Sequence, residues 1–395
     1  MKLVLKDWHK NFFIVVSSIL LTLFVVEFSL RVLKPHDQFN SLPPNLDVVQ
    51  YNRLYTCFSG LDSTFHLSIN DLGYRSHSRF DAKRYGILTI SESTTNCTGL
   101  SNNETWPWLL ENKLNQFCQN QQYTVGNIAA LGHHSGNHLL QLKYIEPQFE
   151  NIRMVIILAG VNDFRRFFIS EQHYTPTRKD KKLFSKTFIQ FPRKLGATWY
   201  QKPELWLTLR DALNNYKNKK ISTKHVNIKE HTEKYIKASK RVDLKIKKYD
   251  SSQKTDQLVD LTDALQDFES NLNEITSIAQ TRNIRLVFIT QPTLRNSNMT
   301  GYEEKIASYS SPEINSKFLS PIAMEKGLDL FNQKLREISK KDKVELINLA
   351  MLLPKDTSVF FDDCHFNKSG SAKVANLIYS ELEEILNNTT KLSSH

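Results

Sequence analysis

Ser93 lies where a buried strand is expected to end. The apolar run YGILTI, residues 85–90, is typical of a strand buried on both faces, and it is followed by Ser91, Glu92 and Ser93. A serine at the carboxyl end of such a strand, with a turn into a helix after it, is held exposed with its backbone N–H pointing outward. Ser93 is therefore a candidate nucleophile, although a lone serine at a strand end is usually structural.

An acid and a base stand close together near the carboxyl terminus, in the stretch FFDDCHFNKSGSAKVANLI. Asp362 and His365 are three residues apart in a loop just before a helix. This spacing lets the carboxylate accept a hydrogen bond from one imidazole nitrogen while the other nitrogen faces a serine. Asp363 is an alternative partner for the histidine, and the spacing favours Asp362.

Two further segments offer hydrogen-bond donors at strand ends. The run Met154–Leu158 leads into AGVND, where the amide of Asn162 could donate to a developing oxyanion. The weaker run Tyr123–Ile128 leads to Gly132, where the missing side chain lets the backbone approach a substrate and offer a second donor.

Charged and aromatic neighbours of these segments are candidates for substrate contact. His133 and His134 follow the glycine, and they either touch substrate or are solvated or hydrogen-bonded to backbone. Arg165 and Arg166 follow Asn162, and they either line the cleft and bind an acidic sugar or belong to a plain surface.

Alternating strands and helices must position these residues. Two further apolar runs, Leu286–Thr290 and Val344–Leu349, also predict buried strands. Helical spacing of apolar residues appears in three segments: Trp106–Phe117, Leu258–Ile278 and a last helix carrying Val374 to Ile385. This alternation predicts an α/β fold with a parallel sheet covered by helices on both sides, and with its site at the carboxyl ends of the strands.

One region breaks the alternation. Residues 174–254 are rich in lysine and show no convincing strand, so we predict a helical insertion there. Its aromatic and apolar residues either pack on the body or lie at a lipid surface beside the anchor described next; they are Phe188, Phe191, Trp199, Leu205 and Trp206.

The amino-terminal residues predict a membrane anchor. Residues 1–10 carry three lysines against one aspartate, and residues 11–26 then run without charge as NFFIVVSSILLTLFVV. We predict a cytoplasmic tail over 1–10, an uncleaved transmembrane helix over 11–33 and a linker over 34–52. Glu27 and Arg31 are four apart and could pair at the headgroup level. Residues 53–395 would then form one folded domain on the periplasmic or other extracytoplasmic side.

Composition excludes several function classes. With 40% hydrophobic residues, 12 Gly and 12 Pro, the chain is predicted to fold rather than to be disordered. The net charge of +11 is not gathered into an arginine-rich or aromatic-interleaved motif, so no nucleic acid is expected as a partner. Four cysteines in an oxidising space allow one or two disulfides, and their spacing fits no zinc motif. We expect neither a metal nor a cofactor, and the oligomeric state stays open.

The order and spacing of four blocks resemble the SGNH (GDSL-type) hydrolase family. The likeness covers about residues 50–165 and 255–390, and it rests on SES, NIAALGHHSGNHLLQL, GVNDF and FFDDCHFNKSG, with INDLGYRS resembling a lead-in strand. It implies a three-layer α/β/α flavodoxin-like fold. It also implies Ser93 as nucleophile, His365 as general base and acid, and Asp362 as its orienting partner.

The same resemblance implies an oxyanion hole made by the Ser93 backbone N–H, the Gly132 backbone N–H and the Asn162 side-chain amide. The family's Gly-Asp-Ser is here Ser91-Glu92-Ser93, so a Cβ replaces the tight glycine and the acid is one methylene longer. A disulfide between Cys97 and Cys364, which flank the two catalytic stretches, could brace or restrict the pocket.

These expectations together predict a membrane-anchored serine esterase. Its substrate would carry ester-linked acyl groups, with O-acetyl on a cell-surface or exported glycan as the first candidate, and either water or a sugar hydroxyl could resolve the acyl-enzyme. The rival prediction is a non-catalytic glycan-binding or assembly protein that kept the fold.

Overall fold

The computed structural model describes residues 2–33, 38–52, 55–117, 121–169, 174–189, 203–206, 208–209, 212–213 and 228–392. The chain forms two compact units, and each is described by itself. One unit comprises Met1–Phe39 with Gln190–Lys224, and the other comprises Asn40–Ile189 with His225–His395.

The first unit contains helix α1, Lys2–Leu33. Its segment Trp8–Leu33 is 26 residues long and apolar enough to cross a membrane, and none of its most apolar window is buried in the protein. The Glu27–Arg31 ion pair expected from the sequence is present, with 2.5 Å between Nη2 of Arg31 and Oε1 of Glu27.

The second unit is built on a five-stranded parallel sheet. Its strands are β3 (Tyr85–Ser91), β4 (Tyr123–Asn127), β5 (Ile152–Ala159), β7 (Arg285–Thr290) and β10 (Glu345–Ile347). The spatial order is β4-β3-β5-β7-β10, which is the flavodoxin-like order because the second strand lies outside the first. All five predicted strands are confirmed, since continuous apolar runs are what a sheet buried on both faces requires.

Helices cover both faces of this sheet, as predicted. On one face α3 (Trp106–Phe117) packs on the last helix α12 (Lys368–Leu392), and both share a core with β3, β4, β5 and β7. On the other face α8 (Thr262–Thr281) packs between α4 (Ser135–Tyr144) and α10 (Pro321–Asp342). The three-layer α/β/α flavodoxin-like fold is therefore confirmed.

The remaining elements are short or peripheral. Strands β1 (Leu46–Tyr51) and β2 (Thr64–Ile69) form an antiparallel pair, and β6 (Lys254–Thr255), β8 (Glu313–Ile314) and β9 (Lys317–Leu319) form a small sheet. The other helices are α2 (Ser93–Asn96), α5 (Val161–Ile169), α6 (Leu183–Thr187), α7 (Ile228–Ser251), α9 (Gly301–Ser308) and α11 (Leu349–Leu352).

The linker predicted over 34–52 differs from the structure at its end. Residues Leu46–Tyr51 form strand β1, which pairs with β2 in the register Leu46 to Ile69 through Tyr51 to Thr64. The strand was missed because it is short and only Leu46 and Val48 in it are buried, so it is stable only against its partner.

Within the predicted helical insertion over 174–254, the described helices are α6, α7 and residues 204–206, 208–209 and 212–213. Its last residue, Lys254, instead begins strand β6. Its aromatic residues differ in burial. Phe188 is buried and packs on Tyr144 and Phe184, whereas Trp206 is 61% exposed. Phe191 and Trp199 lie outside the described residues.

Candidate active site

Strand register brings the candidate segments to one edge of the sheet. Ser91 at the end of β3 is in register with Leu158 of β5, and Ala159 of β5 is in register with Thr290 of β7. The turn after β3 is tight: Glu92 is extended, α2 begins at Ser93, and Cys97 ends α2 with a left-handed φ of 54°. Ser93 is thereby placed at the first position of a short helix, above the carboxyl edge of the sheet.

Ser93, His365 and Asp362 form a hydrogen-bonded chain. The distance from His365 Nε2 to Ser93 Oγ is 2.8 Å, and that from His365 Nδ1 to Asp362 Oδ2 is 2.7 Å. A carboxylate can only accept, so in the neutral imidazole Nδ1 carries the proton and Nε2 accepts from the serine hydroxyl. This geometry suits transfer of the serine proton to the imidazole.

The loop itself fixes the position of Asp362. Its second oxygen accepts hydrogen bonds from the backbone N–H groups of Cys364, at 3.0 Å, and His365, at 2.7 Å. The ring of Phe361 stacks on that of His365 with 5.6 Å between centroids. Burial lowers the pKa of His365, but Asp362 outweighs this effect and the pKa stands well above the usual 6.5.

Asp363, the alternative partner of the histidine, has a different role. Its carboxylate contacts the guanidinium groups of Arg165, on α5, and of Arg295, in the loop after β7. Burial alone would raise the pKa of Asp363, but the two arginines hold it well below its usual range. The expected partner for an acidic sugar, Arg165, is therefore ion-paired within the protein, because a fully buried carboxylate needs cations beside it.

Two of the oxyanion-hole candidates, Gly132 and Asn162, lie at the glycine block. Gly132 has a φ of +74°, and a Cβ built there would meet no atom within 4 Å, so the space on the Cβ side of this residue is open. The side-chain amide of Asn162 donates to the backbone carbonyl of His133 at 2.8 Å, which uses one of its two N–H groups.

His133 differs from its predicted position. Its side chain is only 5% exposed, and burial lowers its pKa to about 4, so the ring is neutral and enclosed rather than available to substrate. What His133 presents to the site is its backbone carbonyl, which holds Asn162. His134 is also buried, and its Nδ1 accepts from the backbone N–H of Gly136 at the start of α4.

The two residues that depart from Gly-Asp-Ser have defined contacts. The Ser91 hydroxyl donates to the carbonyl of Leu158 in the neighbouring strand. Glu92 is fully buried, and its Oε2 accepts from the backbone N–H of Asn162 at 3.0 Å. Burial and the nearby Asp163 raise the pKa of Glu92 well above its usual value, which favours the neutral acid.

Arg75 was missed by sequence reasoning. It is 3% exposed, and its guanidinium donates to the carbonyls of Asn96 and Leu100 and to the side chain of Asn102, all directly after Ser93 in the chain. Its backbone also forms a bridge with Asn127 at the end of β4. The one signal was its place in the lead-in stretch INDLGYRS, which does not reveal burial.

The predicted brace between Cys97 and Cys364 is absent. Cys57, Cys97 and Cys364 are free thiols, and Cys118 lies outside the described residues. Ligand atoms of Asp362, Cys364 and His365 lie within 4.8 Å of one another. However, burial raises the pKa of Cys364, so the thiol stays protonated and is a poor metal ligand, while Nδ1 of His365 is already bonded to Asp362.

Comparison with protein families decides the relationship. The family model described as GDSL-like lipase/acylhydrolase matches residues 68–378, which is most of the chain. The chain belongs to the GDSL-like lipase/acylhydrolase family. The resemblance inferred from the four sequence blocks is thus confirmed, and membership in this family supports hydrolysis of acyl esters.

Several solved structures are similar to this GDSL-like chain. The esterase EstA from Pseudoalteromonas sp., inhibited by monoethylphosphonate, is 14% identical, with 77% of this chain and 99% of that chain covered and a TM-score of 0.38. The acetyl xylan esterase AlAXEase is 12% identical, with 75% and 98% covered and a TM-score of 0.39. A variant of Axe2, an acetyl-xylooligosaccharide esterase from Geobacillus, is 10% identical, with 76% and 95% covered and a TM-score of 0.40.

At these identities and TM-scores the structural likenesses bear on neither substrate nor mechanism. A comparison with curated proteins finds no match to the chain.

Proposed function

We propose that the protein is a membrane-anchored serine esterase that removes or transfers acyl groups through an acyl-enzyme. The observation that carries the proposal is the hydrogen-bonded chain from Ser93 Oγ through His365 to Asp362. Ser93 attacks the ester carbonyl as its proton moves to Nε2 of His365, which forms a tetrahedral intermediate. His365 then gives this proton to the leaving oxygen, and the acyl group stays on Ser93.

The negative oxygen of the intermediate needs donors that are fixed in advance. The backbone N–H groups of Ser93 and Gly132 and the free N–H of Asn162 take this role in our proposal. Losing one such donor costs roughly 3 kcal/mol, or about a hundredfold in rate. The tether from Asn162 to the His133 carbonyl supports it, because a donor held in place loses no entropy when charge develops.

The substrate is proposed from the location of the enzyme at the membrane. Trp8–Leu33 would anchor the chain with its amino terminus in the cytoplasm and the esterase unit on the extracytoplasmic side. An anchored enzyme meets large or envelope-associated esters more often than diffusing ones, so an O-acetyl group on a cell-surface or exported glycan is the first substrate to test. Water or a sugar hydroxyl releases the acyl group.

The deciding experiment uses the full chain in detergent with a small acetyl ester as substrate. We expect turnover and labelling of Ser93 by a fluorophosphonate, and a loss of roughly a thousandfold or more in kcat/KM for both Ser93→Ala and His365→Ala. His66→Ala is the matched control, because His66 is an exposed histidine of β2 paired with Asp47.

Other outcomes favour the rival functions. A folded protein that neither turns over the ester nor takes the label supports the non-catalytic glycan-binding or assembly protein. When an acceptor glycan is supplied to an active enzyme, accumulation of acetate indicates a hydrolase and accumulation of acetylated sugar indicates a transferase.

A further inference from the structure

Glu27 of helix α1 binds another segment of its own unit. It directly follows the uncharged run that ends at Val26. Its two carboxylate oxygens accept hydrogen bonds from the backbone N–H groups of Glu204 and Leu205, both at 2.9 Å. Nε of Arg31 donates to the same carboxylate at 2.6 Å. The acid at the end of the apolar stretch of α1 is thus hydrogen-bonded through both oxygens, and it fixes the segment that starts at residue 203 to α1.

The segment fixed by Glu27 exposes an apolar face. Residues 204–206, 208–209 and 212–213 are helical. Trp206, Leu209 and Leu213 are spaced by three and four residues, which places them on one side of a helix. They are 61%, 49% and 53% exposed, whereas Glu204 is 1% exposed.

The position of this face favours lipid over a protein partner. Apolar side chains of α1 on either side of Glu27 are similarly exposed, with Phe24 at 64% and Phe28 at 60%, so the segment is fixed to α1 at a point where α1 itself exposes large apolar side chains. The end of an uncharged run lies at the headgroup level, where tryptophan is enriched because its ring is amphipathic.

The sequence after the segment adds a charge argument. Lys217, Lys219, Lys220 and Lys224 follow within a few residues, with no acidic residue between Asp211 and Glu230. A basic cluster that follows an interfacial helix in the sequence is attracted to anionic lipid headgroups.

We propose that the described residues of this segment, 203–206, 208–209 and 212–213, lie in the interface of an anionic bilayer, with Trp206, Leu209 and Leu213 in the upper acyl layer and Glu27 fixing the segment to α1. This inference rests on the membrane anchoring given under the proposed function. It adds a second membrane contact, so the unit is held to the surface by a span and by an interfacial segment.

The test measures tryptophan fluorescence of the full chain in vesicles of phosphatidylcholine, with and without phosphatidylglycerol. Lipids brominated near the top of the acyl chain quench only tryptophans in the upper acyl layer. The emission of Trp206 is the difference between the spectra of the unchanged protein and of Trp206→Phe. We expect this difference emission to be blue-shifted and quenched by the brominated lipids, and to be quenched more strongly when phosphatidylglycerol is present.

Two variants sharpen the test. Trp108, on α3 of the other unit, is the control. The difference emission obtained with Trp108→Phe is expected to be insensitive to brominated lipid. Glu27→Ala removes both acceptor oxygens for the N–H groups of Glu204 and Leu205, and we expect the bromolipid quenching of Trp206 to be lost. Glu27→Gln retains one acceptor oxygen, and we expect part of the quenching to remain.

The contrary results are distinct. Quenching of Trp206 by aqueous acrylamide but not by bromolipid overturns the inference. Bromolipid quenching that is the same with and without phosphatidylglycerol also overturns it. Release of the chain by alkaline carbonate overturns the anchoring on which the inference rests. An embedded, bromolipid-quenched chain without esterase activity supports this inference and contradicts the proposed chemistry.

Discussion

At the scale of single residues, the two adjacent aspartates of the carboxyl-terminal block have separate roles. Asp362 raises the pKa of His365, so its removal is expected to lower that pKa. In Asp362→Asn the acid limb of the kcat/KM profile should therefore move to lower pH, while the maximum falls roughly 10²- to 10⁴-fold because the tautomer is no longer fixed. The measurement is the pH dependence of ester hydrolysis.

Asp363→Asn is the matched comparison at the neighbouring position. It leaves Arg165 and Arg295 without their buried counter-charge, which is expected to cost about 3 kcal/mol of folding free energy and lower the Tm. If the two variants instead shift the pH profile equally at unchanged Tm, the assignment of Asp362 as the partner of His365 is wrong.

Glu92 gives a second prediction at this scale. Because burial favours its neutral form, Glu92→Gln should keep kcat/KM within about threefold, since the amide oxygen can still accept from the N–H of Asn162. Glu92→Ala removes the acceptor and should cost about 1–3 kcal/mol of stability or activation free energy. Equal inactivity of both variants would show that the charged carboxylate is required.

At the scale of elements, helix α4 and its lead-in should make the protein sensitive to acid. Burial lowers the pKa of His138 to about 3 and that of His133 to about 4, and neither ring nitrogen of His138 has a hydrogen-bond partner among the described residues. The unfolded chain binds protons near pH 6.5 and the folded chain does not, so stability falls as the pH drops below about 6.5.

The size of this effect follows from linkage. Each such histidine is expected to remove about 1.3 kcal/mol between pH 7 and pH 5.5. In His138→Leu the difference in Tm between pH 7 and pH 5.5, measured on the full chain in detergent, should shrink. His77→Gln, a change at an exposed histidine, should leave that difference as it is, and an unchanged difference in His138→Leu contradicts the prediction.

The site residues that directly follow apolar strands could be predicted from the sequence. Strands β3, β5 and β7 are continuous apolar runs, and the residues directly after them meet at one edge because parallel strands share a direction. The pairing of Asp362 with His365 is local, so its spacing is visible in the sequence.

Long-range pairing is not visible in the same way. The guanidinium groups of Arg75, Arg165 and Arg295 find carbonyl or carboxylate partners across separate segments, and such residues resemble ordinary surface arginines in a sequence. The enclosure of His133 likewise depends on neighbouring elements rather than on its own flanking residues.

At the scale of the whole molecule, the order of the strands along the chain decides when the site can exist. Ser93 and His365 are separated by 272 positions, and the last parallel strand, β10, precedes the histidine loop. Pairings so distant in sequence form late, because loop closure must come before the contacts that stabilise it.

During synthesis, the segment with the nucleophile emerges long before the segment with its base. A nascent chain therefore holds a serine that has no base beside it, and the proposed attack of Ser93 on an ester cannot begin. Reactivity begins only when the final stretch before α12 docks, so assembly of the polypeptide itself delays the chemistry until the fold is complete.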